Sequence, residues 1–241
     1  MICPGSAPGA HRGATARSAT RRRCAHIVAV RAWSVVVPAK RLPLAKTRLT
    51  PLPAGLDGPP DAHDRLVLAL LADTVAAALA SPAVTGVLVV TDDPAAAAEV
   101  TRLGARTVPD EPDRGLNPAL EHGARATGGT AVAALSSDLP ALRPEELTAA
   151  LAAAEAAPRC FVPDAQGTGT TLLTAVGTDL SPAFGAGSAQ RHAAGGAVPL
   201  TGDWPGLERD VDTPGDLRGA LALGVGPHTA ALLGGAARPT G

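Results

Sequence analysis

The chain has no tyrosine and only four aromatic residues in 241: Trp33, Phe161, Phe184 and Trp204. So sparse a set offers no platform on which nucleic-acid bases could stack, and it leaves the core to Ala, Val and Leu. Lysine is scarcer still, with two against nineteen arginines, and a net charge of −1 removes any global basic field for nucleic acid. The three cysteines, Cys3, Cys24 and Cys160, are spaced neither as a disulfide framework nor as a metal site, which fits a cytoplasmic setting. No apolar run approaches the roughly 20 residues that span a bilayer, so no membrane partner is expected. Residues 1–31 carry Arg12, Arg17, Arg21, Arg22, Arg23 and Arg31 but no acid, no amphipathic period and no apolar stretch after the arginine triplet. They are expected to be a disordered tail, one that a start at Val28 or Val30 would remove with the first strand intact.

What remains is long enough for one α/β domain with a full core, expected over residues 32–233, with 234–241 as a second tail. Short β-rich runs alternate with Ala/Leu-rich helical stretches. The pattern predicts strands at 34–37, 86–91, 106–108, 131–135, 159–162, 171–176, 198–200 and 208–211. Helices are predicted at 62–80, 94–103, 118–126 and 144–156, with a shorter one near Ala189. Interleaving of this kind implies a Rossmann-like, doubly wound sheet, mixed but mostly parallel, with antiparallel additions in the C-terminal third.

In such sheets ligands sit beyond the carboxyl ends of the strands. Both lysines fall there, in Pro38-Ala39-Lys40-Arg41-Leu42-Pro43-Leu44-Ala45-Lys46-Thr47-Arg48-Leu49 after the first apolar run. Four cations and no acid before Asp57 suit a polyphosphate, although a solvated basic loop would look the same. Asp138 follows the strand at 131–135, and Asp210 and Asp212 form an Asp-x-Asp whose side chains share one face if the segment is extended. Close carboxylates need a cation between them, and hard oxygen ligands suit Mg²⁺. The bland alternatives are structural: Asp212 as N-cap or first-turn acid of a helix from Pro214, and Asp138 stabilising the turn before the helix at Pro144. Two Gly/Thr/Ser segments, Gln166-Gly167-Thr168-Gly169-Thr170-Thr171 and Phe184-Gly185-Ala186-Gly187-Ser188-Ala189, offer backbone N–H groups to an anion, or are a hairpin turn and a loop. The second leads into a short helix whose N-terminus favours anions, and His192 beyond it reads as a surface residue. Asn117 either caps a helix or faces a nucleotide base or ribose.

Taken in order, the lysine segment, Leu116-Asn117, Asp138-Leu139-Pro140, Gly167-Thr168-Gly169-Thr170, Phe184-Gly185 and Asp210-Val211-Asp212-Thr213-Pro214 resemble a known family. It is the 2-phospho-L-lactate / phosphoenolpyruvate guanylyltransferases of deazaflavin coenzyme F-420 biosynthesis. The likeness runs from Trp33 to Ala231, and one departure from related nucleotidyltransferases is that the lysine segment replaces a Gly-rich loop after the first strand. The resemblance implies a single-domain nucleotidyltransferase fold, similar to glycosyltransferase-A enzymes, that transfers GMP from GTP to phosphoenolpyruvate and releases pyrophosphate. It implies Mg²⁺ held by Asp138, Asp210 and Asp212, and phosphoenolpyruvate held by Thr170, Gly185 and Ser188. Lys40, Lys46 and Arg48 would then lie near the nucleotide phosphates, with Asn117 as a further nucleotide contact. A downstream transferase of the same pathway is a candidate partner.

Three acceptors remain open on this reading: phosphoenolpyruvate, 2-phospho-L-lactate and 3-phosphoglycerate. The Ala-, Gly-, Pro- and Arg-rich composition of a high-GC bacterial chain favours the first. Two other classes fit parts of the pattern. An Asp-x-Asp glycosyltransferase would release no pyrophosphate, and a non-catalytic nucleotide-binding regulator would bind GTP without turnover.

Overall fold

The computed structural model describes residues 32–40, 49, 61–111 and 113–236. The expected N-terminal tail, and Arg41, Lys46 and Arg48 of the basic segment, lie outside them.

The first strand, β1 (Trp33–Pro38), is the centre of the sheet. Its Val35-Val36-Val37 run buries both faces, as a central parallel strand must. After it come α1 (Ala62–Ala80), β2 (Val84–Val90), α2 (Pro94–Leu103), β3 (Arg106–Val108), α3 (Leu116–Thr127), β4 (Ala131–Leu135), α4 (Pro144–Ala153), β5 (Arg159–Pro163), β6 (Thr170–Val176), α5 (Ser188–Ala194), β7 (Val198–Pro199), α6 (Pro214–Leu223) and α7 (Pro227–Ala236). The seven strands are ordered β3-β2-β1-β4-β6-β5-β7. All pairings are parallel except those of β6, which runs antiparallel to β4 and β5. One reversed strand, not several, is therefore the antiparallel addition.

Alternation along β1 builds two cores. Trp33, Val35 and Val37 pack with Leu71 and Val75 of α1, Val100 of α2 and Leu147 and Leu151 of α4. Val36 faces the other way, toward Ala119 and Leu120 of α3 and Ala189 of α5. Gly123 lets α3 press onto this second face: a Cβ there would stand 2.5 Å from Val36 Cγ1 and 2.6 Å from Val90 Cγ2. A third cluster joins α1 to the C-terminal helices through Leu66, Leu70, Val211, Leu217 and Ala220.

Helix starts follow local chemistry in two places. Asp93 accepts from the N–H of Ala95 and Ala96 at 2.9 and 3.0 Å, with Pro94 in the first turn. Thr213 caps α6 and exchanges bonds with Asp216. The predicted strand at 208–211 does not form. Its backbone is irregular and is tied instead across the molecule, Ala165 N to Glu208 O at 2.9 Å and Val211 N to Asp138 O at 3.1 Å. The last helix, α7, starts where buried Asp73 of α1 accepts from His228 N and Thr229 N, and it runs to Ala236.

Candidate active site

At the carboxyl edge of the sheet lies a cleft of ≈ 700 Å³. The ends of β1, β4 and β5 open onto it, and so does the start of β6, because that strand runs in reverse. Lys40, Asp138, Asp164, Thr170, Gly185, Ser188, Asp210 and Asp212 all line it. A smaller lobe of ≈ 360 Å³ adjoins it past Pro38, Ala39 and Lys40, bordered by Asp92, Asp110 and Asp113.

Other residues cap the helices that follow the aspartates. Thr213 and Asp216 cap α6, so Asp212 is not needed there. Glu146 reaches back to the N–H of Arg143 at the start of α4. Asp138 is 5% exposed, and its carbonyl holds Val211, the residue between Asp210 and Asp212. Among the described residues no three His, Cys, Asp or Glu side chains make a ready-made metal cage. The three aspartates expected to converge on shared ions therefore border one cleft without being preassembled around a point.

Two glycine-bearing turns form the opposite wall. Asp164, at the end of β5, accepts from Thr168 N and Gly169 N at 2.9 and 2.8 Å and moulds the turn 164–169. Its carboxylate fills the place a Gly169 Cβ would take, so this position needs glycine. Ala189 N donates to Thr168 O at 3.1 Å, locking this turn to the second one. There Gly185 has φ 116° and accepts from Ser188 N at 3.0 Å. The first N–H groups of α5 are thus already bonded, contrary to the expectation that the helix start is open to an anion. Ser188, 1% exposed, still borders the cleft.

Asn117 is not a helix cap. Gly115 is the cap of α3, and Asn117 borders neither lobe. Its amide instead grips the backbone of Phe184, donating to the carbonyl at 3.2 Å and accepting from the N–H at 2.8 Å. Arg191 wraps the same loop, bonding Ala183 O and Ala186 O.

His192, expected at the surface, is 3% exposed. Its Nδ1 lies 2.9 Å from Thr170 Oγ1 and its Nε2 accepts from Ala183 N at 2.9 Å. Phe161 and Phe184 flank the ring at centroid distances of 5.9 and 5.1 Å. Burial, with the neighbouring Arg191 charge second, pushes the imidazole down to about 4. Asp164 and His192 are the two groups that sequence reasoning missed. The partners of His192 lie 9 and 22 residues away, whereas those of Asp164 lie within its own turn, where its nearness to Gly167-Thr168-Gly169 was the available signal.

Residues 66–210 match the family model of the MobA-like NTP transferase domain. The phosphoenolpyruvate guanylyltransferase of Geodermatophilus obscurus is 95% identical over 215 residues, covering 89% of this chain and 100% of that one. The enzyme of the same name from Salinispora arenicola is 56% identical over 212 residues, 87% of this chain and 97% of that one. Among solved structures, a nucleotidyl transferase from Methanothermobacter superposes with a TM-score of 0.53 at 20% identity, covering 80% of this chain and 97% of that one. That likeness establishes the nucleotidyltransferase fold, a single α/β domain on a mixed, mostly parallel sheet. No helix among the described residues is long and apolar enough to cross a membrane.

Proposed function

The chain belongs to the phosphoenolpyruvate guanylyltransferase family, within the MobA-like NTP transferases, and from that premise we infer that it moves GMP from GTP onto phosphoenolpyruvate. An oxygen of the phosphoenolpyruvate phosphate attacks the α-phosphorus of GTP. The bond from that phosphorus to the α,β-bridging oxygen breaks, pyrophosphate leaves, and enolpyruvyl-diphospho-guanosine forms. A phosphate is already ionised near neutral pH, so neither a protein nucleophile nor a strong base is required. The protein's task is to bring two polyanions into line against their repulsion.

The observation that supports this reading is the meeting of Lys40, Asp138, Asp210, Asp212 and both glycine-bearing turns on one cleft. Lys40 is assigned to the nucleotide phosphates, joined by Lys46 and Arg48 of the same basic segment. Thr170, Gly185 and Ser188 are assigned to phosphoenolpyruvate: two hydroxyls and a backbone that glycine keeps open to an anion. Asp138, Asp210 and Asp212 would hold Mg²⁺. The donor set fits an ion that takes one or two carboxylates and completes its shell with water and substrate phosphates. Once bound, Mg²⁺ would supply positive charge to the phosphate oxygens. The domain is assigned to residues 32–233, acting in the cytoplasm in coenzyme F-420 assembly and passing its product to a downstream transferase.

The test is pyrophosphate release from each of four NTPs against phosphoenolpyruvate, 2-phospho-L-lactate and 3-phosphoglycerate, with and without Mg²⁺. Release confined to GTP, phosphoenolpyruvate and Mg²⁺ is expected. Faster release with either other acceptor would reassign the substrate, and no release in any arm would sink the transferase reading.

A further inference from the structure

One buried imidazole touches both halves of the wall assigned to the acceptor. The backbone N–H of Ala183 can only donate, so His192 Nε2, 2.9 Å away, must be unprotonated. In a neutral ring the proton then sits on Nδ1, which faces Thr170 Oγ1 at 2.9 Å. The hydroxyl oxygen of Thr170 is therefore an acceptor toward His192, and its own proton must point elsewhere. Thr170 Oγ1 has no other hydrogen-bond partner among the described residues, and Thr170 borders the cleft. The ring is held in place, since Phe161 packs against it at a tilt, Phe184 meets it in a T-shaped contact and Ala183 bonds its far nitrogen.

We propose that His192 is a positioning residue that fixes the Thr170 hydroxyl as a hydrogen-bond donor to the anionic acceptor substrate and pins the Ala183–Gly185 backbone beside it. This rests on the assignment of Thr170 to the phosphoenolpyruvate pocket. A hydroxyl left to rotate can turn its proton toward several partners, whereas one accepting from an imidazole has that direction occupied and its proton directed away from the ring. That arrangement presents a donor to a carboxylate or phosphate oxygen before the substrate arrives. It also explains why a histidine with no exposed edge stands within the acceptor wall. The low proton affinity of the ring keeps it neutral near pH 7, so the tautomer is fixed by its two partners alone.

The experiment is a set of steady-state measurements of pyrophosphate release on the full chain with Thr170→Val, His192→Leu, His192→Asn and the Thr170→Val/His192→Leu pair. Thr170→Val is expected to raise KM for phosphoenolpyruvate about tenfold, the value of one hydrogen bond to a charged group. His192→Leu should give a similar rise with kcat and KM for GTP changed far less. His192→Asn, whose amide N–H replaces Nδ1–H, should recover most of the loss. The pair should be no worse than Thr170→Val alone, because His192 acts through that hydroxyl. If Thr170→Val leaves KM for phosphoenolpyruvate unchanged, the pocket assignment fails. If Thr170→Val raises it while His192→Leu does not, or if the two losses multiply in the pair, the positioning role is overturned and the pocket stands. Should His192→Leu fail to fold, the split rests on His192→Asn against His192→Gln, which keeps an acceptor for Ala183 but not a donor for Thr170. Equal KM values for those two would overturn the proposal.

Discussion

The backbone N–H of Val211 donates to the carbonyl oxygen of Asp138 at 3.1 Å, across 73 residues of sequence (211 − 138). That bond brings Asp210 and Asp212 beside Asp138 without any strand ladder, so the three carboxylates border one space although the segment holding two of them is irregular. Asp138→Asn, Asp210→Asn and Asp212→Asn are each expected to lower kcat by roughly a hundredfold or more, the scale for losing one electrostatic contact in a transition state. The Mg²⁺ concentration for half-maximal rate should rise as well. Thermal melts that stay with the parent would separate this from unfolding, and a variant with the parent's rate and Mg²⁺ dependence would remove that aspartate from the metal site.

Asn117 gives a prediction that separates two roles. If its amide serves to hold Phe184, Asn117→Ala should raise KM for phosphoenolpyruvate by roughly tenfold, from the loss of two hydrogen bonds to the loop. KM for GTP should be little altered. The reverse pattern would return Asn117 to the nucleotide.

Gly123→Ala tests the packing of α3 on the sheet. The added methyl would collide with Val36 and Val90, both fully enclosed by the second core, and neither has a flexible end to swing aside. Chemical denaturation should show a loss of about 1–3 kcal/mol, in the range of overpacked core sites. No loss would mean that α3 shifts freely.

His192 also ties stability to pH. Its proton affinity is depressed in the fold, from an ordinary 6.5 to about 4, so between these values the unfolded chain binds the extra proton and the native one does not. Stability from the neutral ring is complete above pH 6.5 and is lost as pH falls toward 4. The loss is on the order of 3 kcal/mol at most, at 1.36 kcal/mol per unit. Urea midpoints measured at pH 7, 5.5 and 4.5 should fall more steeply for the parent than for His192→Asn. Parallel slopes would contradict the shift.

Much of the fold was readable because its signals are local. The apolar run at β1 and the Asp93-Pro94 start of α2 are decided by neighbours in sequence, and the expected spans agree with the observed ones within a few residues. The misreadings share a cause, which is that long-range partners settle the structure. The 208–211 stretch has strand-like composition, yet its hydrogen bonds go to Asp138 and Ala165 rather than to a neighbouring strand. The helix α7 went unrecognised because its cap, Asp73, lies 155 residues before His228. His192 follows the polar Gln190-Arg191 pair and so looks exposed, but the reversed strand β6 brings Thr170 over it. In the site, the cleft-lining aspartates and glycines were legible from their places at strand ends. The roles of Asp164 and Asn117 were not, since each side chain is engaged by a backbone segment, the turn 164–169 in one case and Phe184 in the other.

The direction of β6 has a consequence for how this enzyme class could diversify. Because that strand enters the sheet from the edge where β5 leaves it, six residues, 164–169, link two wall-forming strands in a single tight hairpin. The parallel half of the sheet, with its lysine, supplies the grip for the nucleotide under the proposed assignment. Exchanging the hairpin and the Phe184 loop alone could therefore swap one small phosphorylated acid for another while the donor half stays untouched. Acceptor choice is, in that sense, a detachable module on a fixed nucleotide platform.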